Sequence, residues 1–310
     1  PLGLAAEQSL ASDDQTTNSA VEAYLNEAQQ LHLADSNEWL KLLHYEISTS
    51  VFAKQFRSKF RGPFYIAPDG TENPKNEMNS SLRLLFSPKT RFQQCKYLSR
   101  TKFFVRKLKI QTGDIEPCPE RKAWKQELNA QAISLIFASA DLSNAASSFG
   151  HTFLKLSNPS NKQKKELLDY GINYAADANQ SEGVLFALKG LFGLYNGKFT
   201  MLPYHQKIRE YINAEGRDIW EYALNFSAEE VDDLIDHLIE LEGSSAPYYF
   251  LDENCSYQLL AALEAVRPEL NLTAQFKYFT IPIDSLKRVM AVTGLVKTQN
   301  YRKSLKNKFE

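Results

Sequence analysis

Long apolar runs are missing from this chain: none approaches the roughly 18 residues a membrane-spanning helix needs, so no transmembrane segment is expected. Charge of one sign is missing too. Its 36 basic residues stand against 37 acidic ones, for a formal net charge of −1, and nothing asks for nucleic acid as a partner. Glycine is sparse and forms no phosphate-cradling loop, which removes P-loop chemistry. The histidines outside position 151, His32, His44, His205 and His237, show no ligand spacing with Cys255, so neither a metal nor another cofactor is expected. Cysteine is limited to three residues. Cys95 and Cys118 share one basic, Pro-containing segment, and Cys255 stands alone. That count reads as one disulfide plus one free thiol, and a disulfide points to the periplasm or the cell exterior. The alternative is three reduced cysteines in a cytosolic protein. Pro1-Leu2-Gly3 ahead of Leu4-Ala5-Ala6 reads as a tag remnant joined to a mature start, which fits a removed leader.

What the chain does have is apolar content, 43% by a broad count, enough for one large domain or two small ones. Residues 1–17 read as a disordered lead-in. Val21, Tyr24, Leu25, Ala28, Leu31 and Leu33 follow helical spacing, and Asp35-Ser36 caps a second short helix over 38–45. Residues 46–75 read as extended or looped, with a short strand at Phe64-Tyr65-Ile66 between two turn signals. Helices are expected over 76–86 and 120–128. The segment 97–109 carries Arg100, Lys102, Arg106, Lys107 and Lys109. It reads as a solvated helix face, with peripheral contact to anionic lipid headgroups as the alternative. A boundary near 130 separates a mainly helical subdomain, 18–130, from a second domain, 131–300.

Past that boundary the periodicity changes. Residues 132–138 are apolar and β-rich, as in a strand buried on both faces. Small residues lead to a strand over 151–156, a Lys-rich turn, and an antiparallel return over 167–176. A helix over 181–192, strands over 199–202 and 219–224, a Ser227-capped helix to Leu241, a helix opening near Cys255 and a helix over 283–292 follow. Residues 203–216 show no assignable period, and the last residues read as frayed. The sum is an α+β chain.

The chemistry-bearing stretch is Tyr248-Tyr249-Phe250-Leu251-Asp252-Glu253-Asn254-Cys255-Ser256-Tyr257. An extended aromatic run meets a polar corner, and an apolar helical run starts right after Cys255. A cysteine in the first helical turn sits at the positive end of the dipole, among unpaired N–H groups that lower a thiol pKa. Such a thiolate is a nucleophile; the alternative is a small buried residue at a helix start. His151 opens a strand, well placed to aim an imidazole at a helix terminus. A hairpin closing between Leu156 and Leu167 puts residue 172 about opposite 151, so Asn173 falls within one residue of it, on a face that parity decides. Thiolate, imidazole and an orienting amide make a Cys–His hydrolytic arrangement. Asp169 is a competing orienter, and Ser147 or Ser148 offer hydroxyls.

At these residues the chain resembles a known family. Asn144-Ala145-Ala146-Ser147-Ser148-Phe149-Gly150-His151-Thr152-Phe153-Leu154, then Asp169-Tyr170-Gly171-Ile172-Asn173-Tyr174-Ala175-Ala176, then Asn254-Cys255-Ser256-Tyr257 resemble the Lnb N-terminal periplasmic domain family. Trp39-Leu40-Lys41-Leu42-Leu43-His44-Tyr45, Ala67-Pro68-Asp69-Gly70, Cys95 and Pro117-Cys118-Pro119 extend the likeness upstream. The resemblance implies a permuted papain-like, NlpC-type antiparallel sheet core with packed helices, in which the base precedes the nucleophile. It also implies a cell-envelope thiol acyltransferase or hydrolase. The eponymous enzyme moves an acyl chain within lipoproteins from the glyceryl group to the N-terminal amine; this chain lacks that enzyme's membrane-spanning region. The expected catalytic residues are Cys255, His151 and Asn173, with the Cys255 N–H and Ser148 or Asn254 at the oxyanion. The expected partners are a lipid or lipoprotein acyl substrate or, in a second reading, a cell-wall peptide cleaved by an amidase. A non-catalytic envelope binding module is the third.

Overall fold

The antiparallel sheet that carries the candidate residues is built from strands whose apolar positions occur on both faces. A computed structural model describes residues 19–49, 54–87, 91–111, 118–140, 149–160, 169–176, 189–276, 279–304 and 306–307. The expected lead-in, the small-residue run 141–148 with Ser147 and Ser148, the Lys-rich turn over 161–168 and most of the expected helix over 181–192 lie outside these residues. Contacts divide the chain into two units, one joining 1–58 with 65–119 and the other joining 59–64 with 120–310.

The first unit holds helix α1 (19–30), α2 (Asn37–Leu42), the hairpin β1 (Glu46–Thr49) and β2 (Lys54–Arg57), α3 (Pro74–Leu85), α4 (Arg91–Gln94) and α5 (Leu98–Leu108). Ser36 caps α2 by accepting from the Trp39 N–H, and buried Trp39 packs its ring on Phe103 and Phe104, 5.2 and 5.4 Å away. The strand expected at Phe64-Tyr65-Ile66 is absent. The Ile66 and Ala67 N–H groups donate to the buried Glu77 carboxylate, at 3.0 and 2.8 Å, which takes the place of a sheet partner. Glu77 in turn forms a buried ion pair with Arg100. On α5 the exposed cations Arg106 and Lys107 pair with Glu38 at 2.6 and 2.5 Å, whereas Arg100 is buried and departs from the solvated face expected of it. Cys95 and Cys118 are bonded, with Cα atoms 5.6 Å apart.

The second unit opens on α6 (Pro119–Leu128) and β3 (Ala132–Ala138). It continues through β4 (His151–Ser157), β5 (Tyr170–Ala176), β6 (Tyr195–Pro203), α7 (Tyr204–Ile208) with a π turn at Arg209–Ala214, and β7 (Ile219–Leu224). Then come α8 (Ala228–Glu240), β8 (Ala246–Tyr248), α9 (Cys255–Val266), α10 (Pro282–Ala291) and β9 (Val296–Arg302). Seven strands form one antiparallel sheet in the order β8-β6-β5-β4-β3-β7-β9. On one face Ile133, Leu135, Leu154 and Leu156 pack against Leu234 of α8, Leu259 and Leu263 of α9 and Val289 of α10. On the other, Ile136, Phe153 and Ile219 pack against Tyr204, Tyr211 and Ile212. The unassigned stretch 203–216 is thus the helical cover of that second face. Residues 296–302, to which the sequence reading gave no element, form the edge strand β9, paired with β7 from Ile219↔Arg302 to Leu224↔Val296. Ser227 and Glu230 close a capping box on α8.

The sheet parts between β4 and β5. The β3–β4 ladder runs to Ala138↔His151 and the β5–β6 ladder runs to Ala176↔Gly197. Between them the β4–β5 ladder stops at Leu154↔Ile172. The two central strands separate at the end where His151 and Asn173 lie, and α9 packs across both.

Candidate active site

Cys255 is the first residue of α9, whose N-cap is Asn254. The Asn254 side-chain oxygen accepts from the N–H groups of Ser256 at 3.0 Å and Tyr257 at 3.4 Å. Its amide nitrogen donates to the Phe250 carbonyl at 3.1 Å and to that of Thr280. Both amide hydrogens are therefore committed, and Asn254 acts as a cap that sets the helix start, not as the oxyanion donor expected from sequence. The Cys255 N–H, which has no intrahelical partner at this position, donates to the Tyr248 hydroxyl at 3.4 Å. Thr152 Oγ1 is 2.8 Å from Ser256 Oγ and donates to Cys255 Sγ at 3.9 Å, tying β4 to the helix. The thiol is 2% exposed.

His151 stands at the open end of β4, directly after Gly150. That glycine has φ +88°, and a Cβ there would lie 2.8 Å from the Phe137 ring, so position 150 requires glycine for His151 to be presented. The imidazole Nε2 is 2.7 Å from Asn173 Oδ1, and the ring lies near enough to Cys255 for each to shift the other's pKa. The observed register differs from the expected one by three residues. Leu154 faces Ile172, so Phe153 is opposite Asn173, and 151, 153 and 173 share a face. An odd shift reverses parity, and that reversal is what turns Asn173 toward the ring. Asp169 is elsewhere: it lies 3.3 Å from Lys155, whose ammonium also meets Glu221 at 3.0 Å. Phe153 and Tyr211 flank the imidazole at 6.3 and 6.0 Å between ring centres. Ser148 and Ser147 fall outside the described residues.

The electrostatics follow from this packing. Burial opposes the thiolate, yet the adjoining His151 charge and hydrogen bond, helped by Thr152, bring the Cys255 pKa from an ordinary 9.0 down to about 6. Burial also opposes the imidazolium, but Cys255 and the Asn173 acceptor outweigh it and hold the His151 pKa above its ordinary value. The shifts are reciprocal, as an ion pair requires. Tyr248 is pushed well above the phenol range, by burial first and by the Cys255 charge second, so its hydroxyl keeps its proton. Sequence reasoning missed Tyr248, Thr152 and Ser256; no motif spacing marks a tyrosine seven residues before a nucleophile. It also missed the strap at 59–64. Arg61 exchanges backbone hydrogen bonds with Ser245 at 2.8 and 3.0 Å, and Lys59 pairs with the buried Glu253, two residues from the thiol.

One carboxylate cluster suits a cation by type, Asp232, Asp233 and Asp236 on α8. Lys125 already reaches it, 2.9 Å from Asp232 and 2.8 Å from Asp236, and supplies the countercharge. Among the described residues no helix is long and apolar enough to cross a membrane.

Comparison with known proteins adds two matches. A model described as the Lnb N-terminal periplasmic domain covers residues 120–291, more than half of the chain, and includes His151, Asn173 and Cys255. A domain of unknown function (DUF7843) covers residues 31–107. No curated protein and no solved structure matches the chain.

Proposed function

The chain belongs to the Lnb N-terminal periplasmic domain family, and from that premise we propose that it is a cell-envelope thiol acyltransferase or hydrolase with Cys255 as nucleophile and His151 as base. The observation that carries this reading is the buried line from the Cys255 thiol to the His151 imidazole to Asn173 Oδ1, with the thiol at a helix N-terminus and its pKa lowered to about 6. A low-pKa cysteine beside an oriented imidazole is the arrangement that activates sulfur for attack on a carbonyl. The base precedes the nucleophile in the chain, as in permuted papain-like enzymes, and triad chemistry depends on geometry, not on chain order. The disulfide Cys95–Cys118 and the periplasmic family description support an envelope setting.

In the proposed mechanism the Cys255 thiolate attacks an ester or amide carbonyl. The developing oxyanion takes a hydrogen bond from the Tyr248 hydroxyl, which accepts from the Cys255 N–H and retains its own proton to donate. The His151 imidazolium protonates the leaving alcohol or amine as the C–O or C–N bond breaks, leaving a thioester on Cys255. Neutral His151 then takes a proton from water or an acceptor amine as that group attacks the thioester. The carbonyl re-forms and sulfur leaves as thiolate. Asn173 fixes the ring so that one nitrogen faces sulfur throughout.

The test is mass spectrometry of the intact protein after incubation with lipid esters, lipopeptides and muropeptides. An acyl group added to Cys255 by a lipid ester or lipopeptide, and absent in Cys255→Ala, is the expected result. A Cys255→Ala variant that keeps activity within about tenfold of wild type would remove the nucleophile assignment. Acylation by muropeptides alone would move the substrate to cell-wall peptide.

A further inference from the structure

The His151 imidazole has a second charged neighbour besides Cys255, lodged behind Tyr211. Arg217 closes the turn that Tyr211 opens. Its N–H donates to the Tyr211 carbonyl at 2.8 Å, and its guanidinium carbon lies 4.8 Å from the centre of the Tyr211 ring. That ring is in turn 6.0 Å from the His151 ring, so one phenol touches both the guanidinium and the base. The same side chain also reaches the strand beside His151. Nε donates to the Ser139 carbonyl at 2.6 Å and Nη2 to the Ala138 carbonyl at 3.2 Å, and Ala138 is the residue paired with His151 in the β3–β4 ladder. Arg217 is 2% exposed. Its acidic partner, Glu215, meets Nη1 at 2.9 Å with a side chain 30% exposed. Water screens that carboxylate more than it screens the guanidinium, so the positive charge is only partly offset at the imidazole.

Among the described residues, the other charges near this face are balanced. Lys155, farther along β4, meets Asp169 and Glu221, and Glu210 meets Lys207 at 2.8 Å. Burial holds the Tyr211 and Tyr248 phenols well above their ordinary range, so both stay neutral. Two opposed charges therefore act on His151. The Cys255 thiolate favours the imidazolium, while burial and Arg217 oppose it. The balance changes when the thiolate is consumed. As the C–O or C–N bond of the substrate breaks, the leaving alcohol or amine takes the imidazolium proton, and sulfur is held in an uncharged thioester. Burial and Arg217 then act against reprotonation, with Asn173 left to favour it. We propose that Arg217 is a positioning residue for the base: lodged behind Tyr211 and tied to the strand opposite His151, its charge keeps the imidazole unprotonated in the thioester, ready to take the proton of the attacking water or amine. This rests on the thiol acyl-transfer reading for its purpose, but the titration that tests it needs no substrate.

Cys255→Ala removes the thiolate, as thioester formation does. NMR titration of its histidine rings reads His151, assigned by the signal lost when His151→Gln is added. In Cys255→Ala the His151 midpoint should lie below that of wild type. Adding Arg217→Met should raise it again. The two ring distances bound the guanidinium at about 11 Å from the imidazole, where a unit charge at an effective dielectric of about 20 moves a pKa by roughly one unit. Adding Glu215→Gln instead, which strips the guanidinium of its countercharge, should lower the midpoint further. Lost packing would not reverse direction with the sign of the charge removed. A midpoint that does not rise with Arg217→Met, or that moves the same way in both variants, overturns the proposal. Should Arg217→Met fail to fold, Glu215→Gln decides alone, and an unchanged or raised midpoint overturns it. Opposite shifts without acylation of Cys255 by any ester or amide would leave the hold of Arg217 on His151 and remove the enzyme. Acylation of Cys255 with unmoved midpoints would do the reverse.

Discussion

Replacing His151 should change not only how fast Cys255 reacts but the shape of its pH profile. The folded protein lowers the thiol from 9.0 to about 6, a difference of roughly 4 kcal/mol between thiol and thiolate. In His151→Ala most of that stabilisation is gone, burial is opposed only by Thr152, and the ordinary 9.0 serves as the variant's value. At pH 6.5 the wild-type thiol is then roughly three-quarters ionised and the variant's about 0.3%, a loss of roughly 250-fold in thiolate. The remaining thiolate is more basic and more nucleophilic; with a Brønsted slope of about 0.45, its intrinsic reactivity toward a disulfide rises roughly 20-fold. The net deficit is about tenfold at pH 6.5 and about fortyfold at pH 5, and it turns into about a twofold advantage for the variant at pH 8. The two profiles should therefore cross between pH 7 and 8. Stopped-flow reaction with a small methyl disulfide, followed by thiol mass, measures this directly. Profiles that run parallel without crossing, or a wild-type midpoint near 9, would refute the ion pair and with it the argument for a nucleophile. His151→Gln, which keeps a polar side chain of similar size, guards against a purely packing effect.

Asn173→Ala should shift the wild-type alkylation midpoint upward and lower kcat/KM at least tenfold on whichever acyl substrate is identified, because the imidazole loses the 2.7 Å bond that orients it. Tyr248→Phe should leave the alkylation profile nearly unchanged, since that reaction builds no oxyanion, yet lower kcat by about 100-fold or more if the hydroxyl stabilises the tetrahedral intermediate; equal loss in both assays would make Tyr248 a packing residue. Glu77→Gln should destabilise the first unit by about 3–5 kcal/mol in denaturant unfolding, because it leaves buried Arg100 without its countercharge. Reducing Cys95–Cys118 should cost about 3 kcal/mol by loop entropy, measured as a lower melting temperature of Cys255→Ala with and without reductant.

Much of the fold was legible because local signals agree with it. The strand at 132–138 reads as buried on both faces and is, and the Ser227 cap with Glu230 three residues on reads as a helix start and forms the full capping box. The failures have identifiable causes. Phe64-Tyr65-Ile66 has strand composition, but the Ile66 and Ala67 N–H groups are taken by a carboxylate 11 and 10 residues away in sequence, which no local window detects. The strand Val296–Arg302 is missed because its side chains are mostly exposed; it is a strand by virtue of backbone pairing with β7, and edge pairing leaves little apolar period to read. The π turn after α7 sets Tyr211 among charged neighbours, and its ring contacts with Phe153 and His151, distant in sequence, explain the aromatic there.

The site shows the same division on a finer scale. Cys255 at a helix start was readable, because an Asx cap and an apolar helical run are neighbours in sequence. The partnership of His151 with Asn173 was readable only as proximity: a side chain's face depends on register, and one odd slip moves every residue to the other side of the sheet. That register is set by the pairs from Leu156↔Tyr170 to Leu154↔Ile172, where the β4–β5 ladder ends. Were the ladder continued, His151 would sit opposite Ala175 and the strands would close over the space that the first turn of α9 now uses. Instead the two strands part, a side-chain bond from His151 to Asn173 spans the opening, and the helix N-terminus brings sulfur, its own N–H and the cap into it. The site thus occupies the end of the sheet where β4 and β5 give up backbone pairing, and three buried groups there are satisfied by neighbouring side chains: Asn173 by His151, Thr152 by Ser256, the Cys255 N–H by Tyr248. Such a gap is stable only if those side chains are all present. A double-mutant cycle on Asn173 and Thr152 should therefore show non-additive loss of stability, and additivity within about 0.5 kcal/mol would mean that the two bonds hold the gap independently.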